Sequence, residues 1–553
     1  MPKNSNSSSS AMSGFCSHTG IFQSLKPPTA LPPETLPLTV AQYSLSLQLT
    51  LPWPNSSTAL INSATGHRIS YSDFTLRVTT LAASLQTRFG LSKGDTAFVL
   101  SPNSTFIPIL YFSLLSIGVV ISPANPISTD AEISRQIELS KPVIAFATSA
   151  TRHKLPKLRY GTVVIDSPEL ESMTNRSDFE LRRVEVEVSQ SDVAAIIYSS
   201  GTTGQVKGVM LTHRNLISMV ANYYAQKPER SSPAVILYTV PYFHVFGLSY
   251  CLKSVATAET VVVMERFEMR KMLKAVEEFR VSDIAVAPPV IVGMIKERAK
   301  KEDGLDLSSL RMVLCGGAPL GKEAIKAFTE KFPNTQCVQG YGLSESTGAV
   351  SRAVTEQEFL RWGSTGRLIP NTEAKIIDPI TGNALPPGKQ GELWVRGPTV
   401  MRGYVGDTKA TAETLVKAAG GGGWWLRTGD ICYFDENGFL FVVDRLKELI
   451  KYKGYQVAPA ELEQLLQSHP HIIDAAVIPY PDEEAGEVPM AFVVRNPKSN
   501  IIDERQVIDF IARQVAPYKK IRRVSFVSTI PRSAAGKILR KELKKMVIPN
   551  SKM

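Results

Sequence analysis

The stretch that decides the fold reads Tyr198-Ser-Ser-Gly-Thr-Thr-Gly-Gln-Val-Lys-Gly208 and directly follows the apolar run Val193–Ile197. It contains three glycines, four serine or threonine hydroxyls and one lysine. Glycine lets backbone N–H groups approach an anion closely, hydroxyls donate further hydrogen bonds, and lysine adds a positive charge. This mixture predicts a loop that binds a polyphosphate.

The loop differs from a Walker A sequence, in which Gly-Lys-Ser/Thr opens a helix. Here Lys207-Gly208 is followed by Val209–Leu211, which predicts a second strand. The next helix is expected from Asn215 to about Tyr224, with Thr212 as its N-cap. A strand–loop–strand arrangement argues against the common nucleoside-triphosphatase fold and still favours ATP. For this segment alone, a Ser/Gly-rich turn without a ligand is the alternative.

Length and charge limit the possible classes of protein. A chain of 553 residues is too long for one core, so we expect two to four compact units. The net charge of +11 is concentrated near the end, because residues 445–553 hold 19 Lys/Arg against 12 Asp/Glu. No RNA-binding motif, zinc finger or helix-turn-helix accompanies this charge, so it indicates an anionic small molecule or a solvated face and not nucleic acid.

Secretion and membrane insertion are not predicted. The N-terminus has no basic region followed by an apolar stretch. Five scattered cysteines favour neither a disulfide framework nor a zinc site, and they fit a reducing compartment. The apolar stretch Phe106–Ala124 is interrupted by proline, serine and glycine and lacks basic flanks, so it predicts a helix, a turn and a strand in a buried layer.

The order of predicted elements indicates an α/β fold with several parts. Short Val/Ile/Leu-rich runs alternate with helical patterns up to about residue 360, which predicts two parallel-sheet α/β subdomains. From Thr372 a small β-rich subdomain follows, and then a mobile C-terminal α+β domain. The expected boundaries are 1–36 for a disordered Ser- and Pro-rich tail, 37–444 for the N-terminal ATP- and acyl-binding domain, and 445–553 for a C-terminal lid domain.

Further motifs follow the glycine loop in a fixed order. They are Gln339-Gly-Tyr-Gly-Leu-Ser-Glu-Ser346, Gly391-Glu-Leu-Trp-Val-Arg-Gly397, Thr428-Gly-Asp430, Asp444-Arg445, Lys451-Tyr-Lys-Gly-Tyr-Gln456 and Pro531-Arg-Ser-Ala-Ala-Gly-Lys537. Together they resemble the adenylate-forming superfamily of acyl-CoA synthetases, luciferases and peptide-synthetase adenylation domains. The plant 4-coumarate:CoA ligase-like subgroup is the most similar. The resemblance implies an AMP-forming acyl-CoA synthetase that uses ATP, Mg²⁺ and CoA.

The resemblance assigns residues to the first half-reaction, in which a carboxylate attacks the α-phosphate of ATP. Glu345 would hold Mg²⁺, Ser344 would donate to the α-phosphate, and Lys537 would bridge this phosphate and the substrate carboxylate. By composition alone, the loop of Lys537 would be flexible and exposed. Tyr341 would stack on adenine, and Asp430 would accept from both ribose hydroxyls. The expected ATP-binding set is Ser199, Ser200, Gly201, Thr202, Thr203, Gly204, Lys207, Gly317, Ala318, Gly340, Tyr341, Gly342, Asp430 and Arg445.

The second half-reaction, in which the CoA thiol replaces AMP, needs other groups at the same carbon. In the family the C-terminal domain rotates on a hinge, which Lys447 matches here. The rotation would remove Lys537 and bring in Lys451 and Gln456, while Lys453-Gly454 would line the CoA entrance.

The resemblance also assigns an acyl pocket with His244 at its mouth. Hydroxycinnamate ligases typically carry Tyr and Asn where Phe246 and Ser249 stand, and Pro-Val in place of Gly348-Ala349. A phenolic acid would therefore lose hydrogen-bonding partners, and the pocket would gain room for a longer apolar acid. We expect medium- or long-chain fatty acids or cyclopentenone-type jasmonate precursors, with hydroxycinnamate or cinnamate as the alternative. The pocket set is His244, Phe246, Gly247, Ser249, Gly316, Gly340, Gly348 and Ala349.

The chain ends in Ser551-Lys552-Met553, which is similar to the peroxisomal address Ser-Lys-Leu. The expected partners are a small carboxylic acid, ATP, CoA and a peroxisomal import receptor, without nucleic acid or a membrane span. A luciferase-like oxygenase stays open as an alternative of another class. A carrier-dependent adenylation domain is disfavoured because no carrier module accompanies the motifs.

Overall fold

The computed structural model describes residues 12–174, 185–200, 206–296, 304–317, 320–418, 422–453, 455–496, 502–533 and 536–547. The described strands are β1 Phe15–Cys16, β2 Ile21–Gln23, β3 Thr58–Asn62, β4 Arg68–Ser70, β5 Thr96–Leu100, β6 Val120–Ala124, β7 Ile144–Ala147, β8 Thr162–Val164, β9 Val193–Ser200, β10 Val206–Thr212, β11 Val235–Tyr238, β12 Thr260–Val263, β13 Asp283–Val286, β14 Met312–Cys315, β15 Gln336–Leu343, β16 Gly348–Arg352, β17 Arg367–Leu368, β18 Glu373–Ile377, β19 Gly391–Arg396, β20 Gly403–Tyr404, β21 Leu415–Lys417, β22 Trp424–Phe434, β23 Leu440–Arg445, β24 Ile450–Tyr452, β25 Tyr455–Val457, β26 Ile472–Asp482, β27 Gly486–Arg495 and β28 Arg523–Phe526.

The described helices separate these strands along most of the chain. They are α1 Val40–Gln48, α2 Tyr71–Phe89, α3 Phe106–Ser116, α4 Asp130–Ser140, α5 Pro168–Thr174, α6 His213–Ala225, α7 Val245–Ala256, α8 Met269–Glu278, α9 Pro288–Lys296, α10 Lys322–Lys331, α11 Glu356–Phe359, α12 Thr408–Thr414, α13 Pro459–Ser468, α14 Glu504–Ala512 and α15 Arg540–Val547. The expected α/β class is confirmed.

Two sheets with parallel centres form the body of the N-terminal part. The first has the strand order β20-β10-β9-β6-β5-β7-β8, and its strands β5 to β8 run parallel. The second has the order β17-β16-β15-β14-β13-β11-β12-β3-β4, with parallel pairing from β3 through β15. Apolar runs such as Thr96–Leu100 are buried along their whole length, as expected of parallel strands covered on both faces.

Three local predictions around the first sheet are confirmed. The glycine stretch lies between the antiparallel strands β9 and β10, which makes it a strand–loop–strand unit. Thr212 caps α6, because its hydroxyl accepts the N–H of Asn215 in a capping box. The apolar stretch Phe106–Ala124 folds as α3, a turn and β6.

In the part of the chain that the structure describes, no helix has both the length and the apolar character needed to cross a membrane.

The third sheet is the β-rich subdomain, and it corrects the expectation of a disordered tail. Its order is β1-β2-β18-β19-β22-β21, with β23 on β22. Residues 12–36 therefore contribute two strands, since β2 pairs with β18. Phe22 is fully buried and stacks on Phe434 at a centroid distance of 4.3 Å. The N-terminal segment, called the strap below (residues 12–36), finds its apolar partners some 350 residues away, which its Ser- and Pro-rich composition conceals.

The C-terminal domain has its own sheet and core. The sheet order is β25-β24-β27-β26, with β28 parallel to β27. Helix α13 packs on this sheet through Leu462 and Leu466, which are fully buried among Val477, Val493 and other apolar side chains. A separate C-terminal α+β domain is thus confirmed, whereas its boundary at residue 445 stays a prediction.

Candidate active site

The strands on either side of the predicted polyphosphate loop are paired. Ser199 of β9 and Lys207 of β10 are cross-strand neighbours. The ammonium of Lys207 lies 4.8 Å from the ring centroid of Tyr404, which is a cation–π distance. The predicted residues Gly201, Thr202, Thr203 and Gly204 and the side chain of Ser200 lie outside the described part of the chain.

Glu345 is placed beside this hairpin by a 3₁₀ turn, Ser344–Ser346, that follows β15. Its Oε1 accepts hydrogen bonds from the hydroxyls of Ser199 at 3.1 Å and Tyr404 at 3.0 Å. No cluster of three or more His, Cys, Asp or Glu side chains suited to a metal occurs among the described residues. A single carboxylate next to a polyphosphate loop fits Mg²⁺, which takes one or two carboxylates together with phosphate oxygens.

Asp430 forms the centre of a second group of polar residues. The phenol of Tyr341 donates to its Oδ2 at 2.5 Å, and Nε of Arg445 lies 3.7 Å from its Oδ1. Strand pairing fixes this contact, because Asp430 of β22 faces Arg445 of β23. Burial raises the pKa of Asp430, and the positive charge of Arg445 opposes that rise. The carboxylate and the guanidinium are therefore held together at the edge where a ribose is expected.

Lys537 reaches the same place from the C-terminal domain. Its loop is closed by a bridge between Arg532 and Ile538, and it lies against the N-terminal domain. Gly536 has φ +80°, and a side-chain carbon there would stand only 3.1 Å from Cβ of Ala287. Lys537 is half-buried, which corrects the expectation of an exposed lysine.

The surroundings of Lys537 change its acidity. Burial lowers the pKa of Lys537 to about 8, and the positive charge of Arg445 lowers it further, whereas Glu448 and Asp430 act in the opposite direction. The ammonium thus lies within electrostatic range of Asp430 and Arg445. Three residues that the sequence assigns to the first half-reaction, Lys537, Asp430 and Arg445, therefore lie near one another.

The residues expected in the second half-reaction lie elsewhere. Lys451 and Gln456 are cross-strand partners on the hairpin of β24 and β25, and both are exposed. Lys453 is exposed as well, with its N–H donating to the carbonyl of Ala485, and Gly454 lies outside the described residues. Lys447, the expected hinge, is exposed in the short connection between β23 and β24. The hairpin of β24 and β25 therefore lies on the surface, and its side chains are separate from the group around Asp430.

The predicted acyl pocket lies at the start of α7. His244 is the N-cap of this helix, with Nδ1 accepting the N–H of Phe246 at 3.4 Å. Burial lowers the pKa of His244 to about 4, so the imidazole is neutral near pH 7. A Cβ atom on Gly316 would lie 3.6 Å from the ring of Phe246. The hydroxyl of Ser249 donates to the carbonyl of Thr347 at 3.5 Å.

Glycines let β15 and β16 approach each other beside this pocket. Gly342 pairs with Ala349, and a side-chain carbon on Gly342 would lie 1.9 Å from the carbonyl oxygen of Gly348. Gly348 has φ +98°, a backbone conformation that residues other than glycine rarely adopt. Its missing side chain faces Ser249, whose Oγ would be 3.1 Å away.

The remaining glycine positions border the same region. Gly340 lies on β15, Gly247 lies in the first turn of α7, and Gly317 follows β14 with φ +88°. Ala318 lies outside the described residues.

Sequence reasoning missed two residues of the site. Tyr404 contacts both Glu345 and Lys207, and Thr428 accepts the N–H of Asp430 at 3.1 Å. Thr428 belongs to the quoted Thr-Gly-Asp motif and could have been found there. Tyr404 lies beyond the quoted motifs, and only the pairing of β20 with β10 brings it to the loop.

Comparisons with known proteins show the family of this chain. The family model "AMP-binding enzyme" matches residues 52–405, and "AMP-binding enzyme C-terminal domain" matches residues 461–537. The chain belongs to the AMP-binding enzyme family, and it is an AMP-forming acyl-CoA ligase that uses ATP, Mg²⁺ and CoA.

Individual relatives cover almost the whole chain. The 4-coumarate–CoA ligase-like 9 protein of Arabidopsis thaliana is 51% identical over 97% of this chain and 96% of its own length. The peroxisomal OPC-8:0-CoA ligase 1 of the same plant is 42% identical over 98% of this chain and 99% of its own. A solved o-succinylbenzoate coenzyme A synthetase from Bacillus subtilis, in complex with ATP and magnesium ion, has a TM-score of 0.76 at 26% identity, covering 91% of this chain and 99% of that chain.

Proposed function

We propose that this ligase activates medium- or long-chain, mainly apolar carboxylic acids, either fatty acids or cyclopentenone-type jasmonate precursors, and that it does so in the peroxisome. The observation that carries the proposal is the lining of the acyl pocket. Phe246 presents a ring without a polar atom, and the short hydroxyl of Ser249 is directed at the backbone of Thr347. Neither side chain suits recognition of a phenolic hydroxyl.

An apolar pocket of this kind binds a longer acyl chain more tightly, and it gains little from hydroxyl groups on an aromatic ring. Each buried methylene of the substrate contributes about 0.8 kcal/mol. A pocket built to bond a hydroxyl would reject acids without it strongly, whereas an apolar pocket discriminates weakly. Gly348 has no side chain, so its backbone lies close to Ser249, since a Cβ there would stand 3.1 Å from Oγ of Ser249, and Ala349 beside it carries only a methyl group. The name of the relative that is 42% identical, a peroxisomal OPC-8:0-CoA ligase, supports an acid of this kind.

For the first half-reaction, we assign the charge-bearing groups gathered in the structure. A carboxylate oxygen of the acid attacks the α-phosphorus, and the bond to the β-phosphate breaks, so that acyl-AMP and pyrophosphate form. Lys207 and the loop hydroxyls would hold the β- and γ-phosphates, Glu345 would hold Mg²⁺, and Ser344 would face the α-phosphate. Lys537 would offset the negative charges of the acid and the α-phosphate as they approach.

For the second half-reaction, the thiol sulfur of CoA attacks the acyl carbon and AMP leaves. Lys451 and Gln456 would serve this step after the C-terminal domain turns about Lys447. Both are exposed on their hairpin, so they are free to reach a new position when the domain moves. The role of His244 follows from its place: a neutral imidazole at the start of α7 would line the entrance for the acyl carbon.

A chain-length series tests the substrate. We expect kcat/KM for acids from hexanoate to palmitate, and for a cyclopentenone acid, to exceed kcat/KM for cinnamate and 4-coumarate. The variant Ala349→Val should reduce the preference for the longer acids, because it adds two methyl groups where the acyl chain is proposed to lie. A clear advantage of 4-coumarate over every aliphatic acid would contradict the proposed pocket.

The terminal tripeptide Ser551-Lys-Met553, which lies outside the described residues, supports a peroxisomal location. A fluorescent fusion that ends in this tripeptide should accumulate in peroxisomes, and its deletion should leave the fusion in the cytosol. An intact fusion that stays diffuse would show that the import receptor does not bind it.

A further inference from the structure

A hydrogen bond to a buried carboxylate crosses the expected hinge. Asp444 is the penultimate residue of β23 and precedes Lys447, whereas Ala460 lies in the first turn of α13 and follows it. The N–H of Ala460 donates to Oδ2 of Asp444 at 2.9 Å. Helix α13 has Ala458 at its N-cap, without a side-chain cap bond. The carboxylate of Asp444 therefore caps α13 from the other side of the hinge.

The same carboxylate faces the charged group that stands behind Lys537. Arg540, three residues after Lys537, donates to Glu448 at 2.6 Å, to Glu463 at 2.7 Å and to the carbonyl of Val477 at 3.0 Å. Asp444 is buried, at 5% exposure, within electrostatic range of this guanidinium. Two interactions thus connect Asp444 to the domain that carries Lys537: the cap on α13 and the attraction to Arg540.

A rotation of the C-terminal domain about Lys447 would break some of these contacts and keep others. Glu448, Glu463 and Arg540 all follow Lys447 in the chain, so their ion pairs move together with the C-terminal domain. Asp444 stays behind with β23, which is paired to β22. A turn about Lys447 therefore separates Asp444 from Ala460 and Arg540 and leaves the other pairs intact.

We propose that Asp444 is a positioning residue that holds the C-terminal domain in the arrangement for adenylation, by capping α13 across the hinge and attracting Arg540. The inference rests on the proposed function, in which the two half-reactions use two arrangements of this domain. Among the described contacts, the carboxylate of Asp444 accepts the N–H groups of Arg445 and Ala460 and not the ammonium of Lys537. We therefore expect it to act on the population of the arrangement and not on the chemical step.

The test compares the two half-reactions in the full-length protein. Acyl-AMP formation is followed by exchange of pyrophosphate into ATP, and thioester formation is followed in single turnovers of preformed acyl-AMP with CoA. Asp444→Ala should slow acyl-AMP formation about tenfold and leave thioester formation unchanged or faster. Asp444→Asn still offers an oxygen to the N–H of Ala460 but has no charge, so we expect a shift of about threefold in the same direction.

Glu463→Gln is the matched control. It weakens the same charged cluster entirely within the C-terminal domain, so it should change both half-reactions by a similar factor. Equal slowing of both steps in Asp444→Ala, or the same change of ratio in Glu463→Gln, would overturn the inference. If Asp444→Ala does not fold, Asp444→Asn decides: an unchanged ratio overturns the inference. Failure of the wild-type protein to form any acyl-AMP would instead refute the proposed function.

Discussion

The rate of acyl-AMP formation should depend on pH through the charge of Lys537. The pKa of Lys537 is lowered to about 8, chiefly by burial, so the free protein holds it largely charged at pH 7 and about half charged at pH 8. Adenylation needs the charged form, because the ammonium offsets two anions. The kcat/KM for acyl-AMP formation should therefore fall as pH rises through about 8, and approach a tenfold loss for each further pH unit.

Pyrophosphate exchange at low substrate concentration, measured from pH 6.5 to 9.5, checks this expectation, since kcat/KM reports groups of the free protein. The variant Lys537→Arg stays charged over this whole range. Its activity should be lower, because a guanidinium differs in shape, but its profile should lack the fall near pH 8. A wild-type profile that stays flat to pH 9.5, or an identical fall in Lys537→Arg, would refute the reasoning.

Two further predictions concern residues that the motifs do not contain. Tyr404→Phe removes one of two hydrogen bonds to Oε1 of Glu345, and a hydrogen bond to a charged group contributes about 1.5–3 kcal/mol. The KM for MgATP should therefore rise roughly tenfold or more. The control Tyr433→Phe, outside the site, should leave this KM unchanged. Phe22→Ala removes the buried ring of the strap and should destabilise the N-terminal part by about 3–5 kcal/mol in urea unfolding; an unchanged unfolding midpoint would mean that the strap contributes no stability.

Much of the site could be predicted from local sequence. The glycine stretch has a composition that suits phosphate, and Glu345 and Asp430 lie in short motifs to which the family resemblance assigns Mg²⁺ and ribose. Strand pairing then places them, and local patterns of apolar residues and caps predict those strands well. The cap at Thr212 shows this directly, because the residues that form it are three positions apart.

Contacts between distant parts of the chain could not be predicted in this way. Tyr404 reaches Glu345 across 59 positions, and Arg540 reaches Glu448 across 92. The strap was expected to be disordered because its composition is rich in Ser and Pro, yet its few apolar residues find a sheet edge to pair with. The composition of the loop around Lys537 predicts an exposed lysine. The loop instead packs against Ala287, which is distant in the sequence. In each case the deciding partner lies far away in the sequence.

We propose that one protein performs two half-reactions with different residues on its C-terminal domain. The most direct test measures acyl-AMP formation and thioester formation separately in Lys537→Ala and Gln456→Ala. Lys537→Ala should lose adenylation by about a hundredfold or more and still convert preformed acyl-AMP to the thioester. Gln456→Ala should form acyl-AMP normally and slow the thioester step. Equal losses of both steps in both variants would contradict the account.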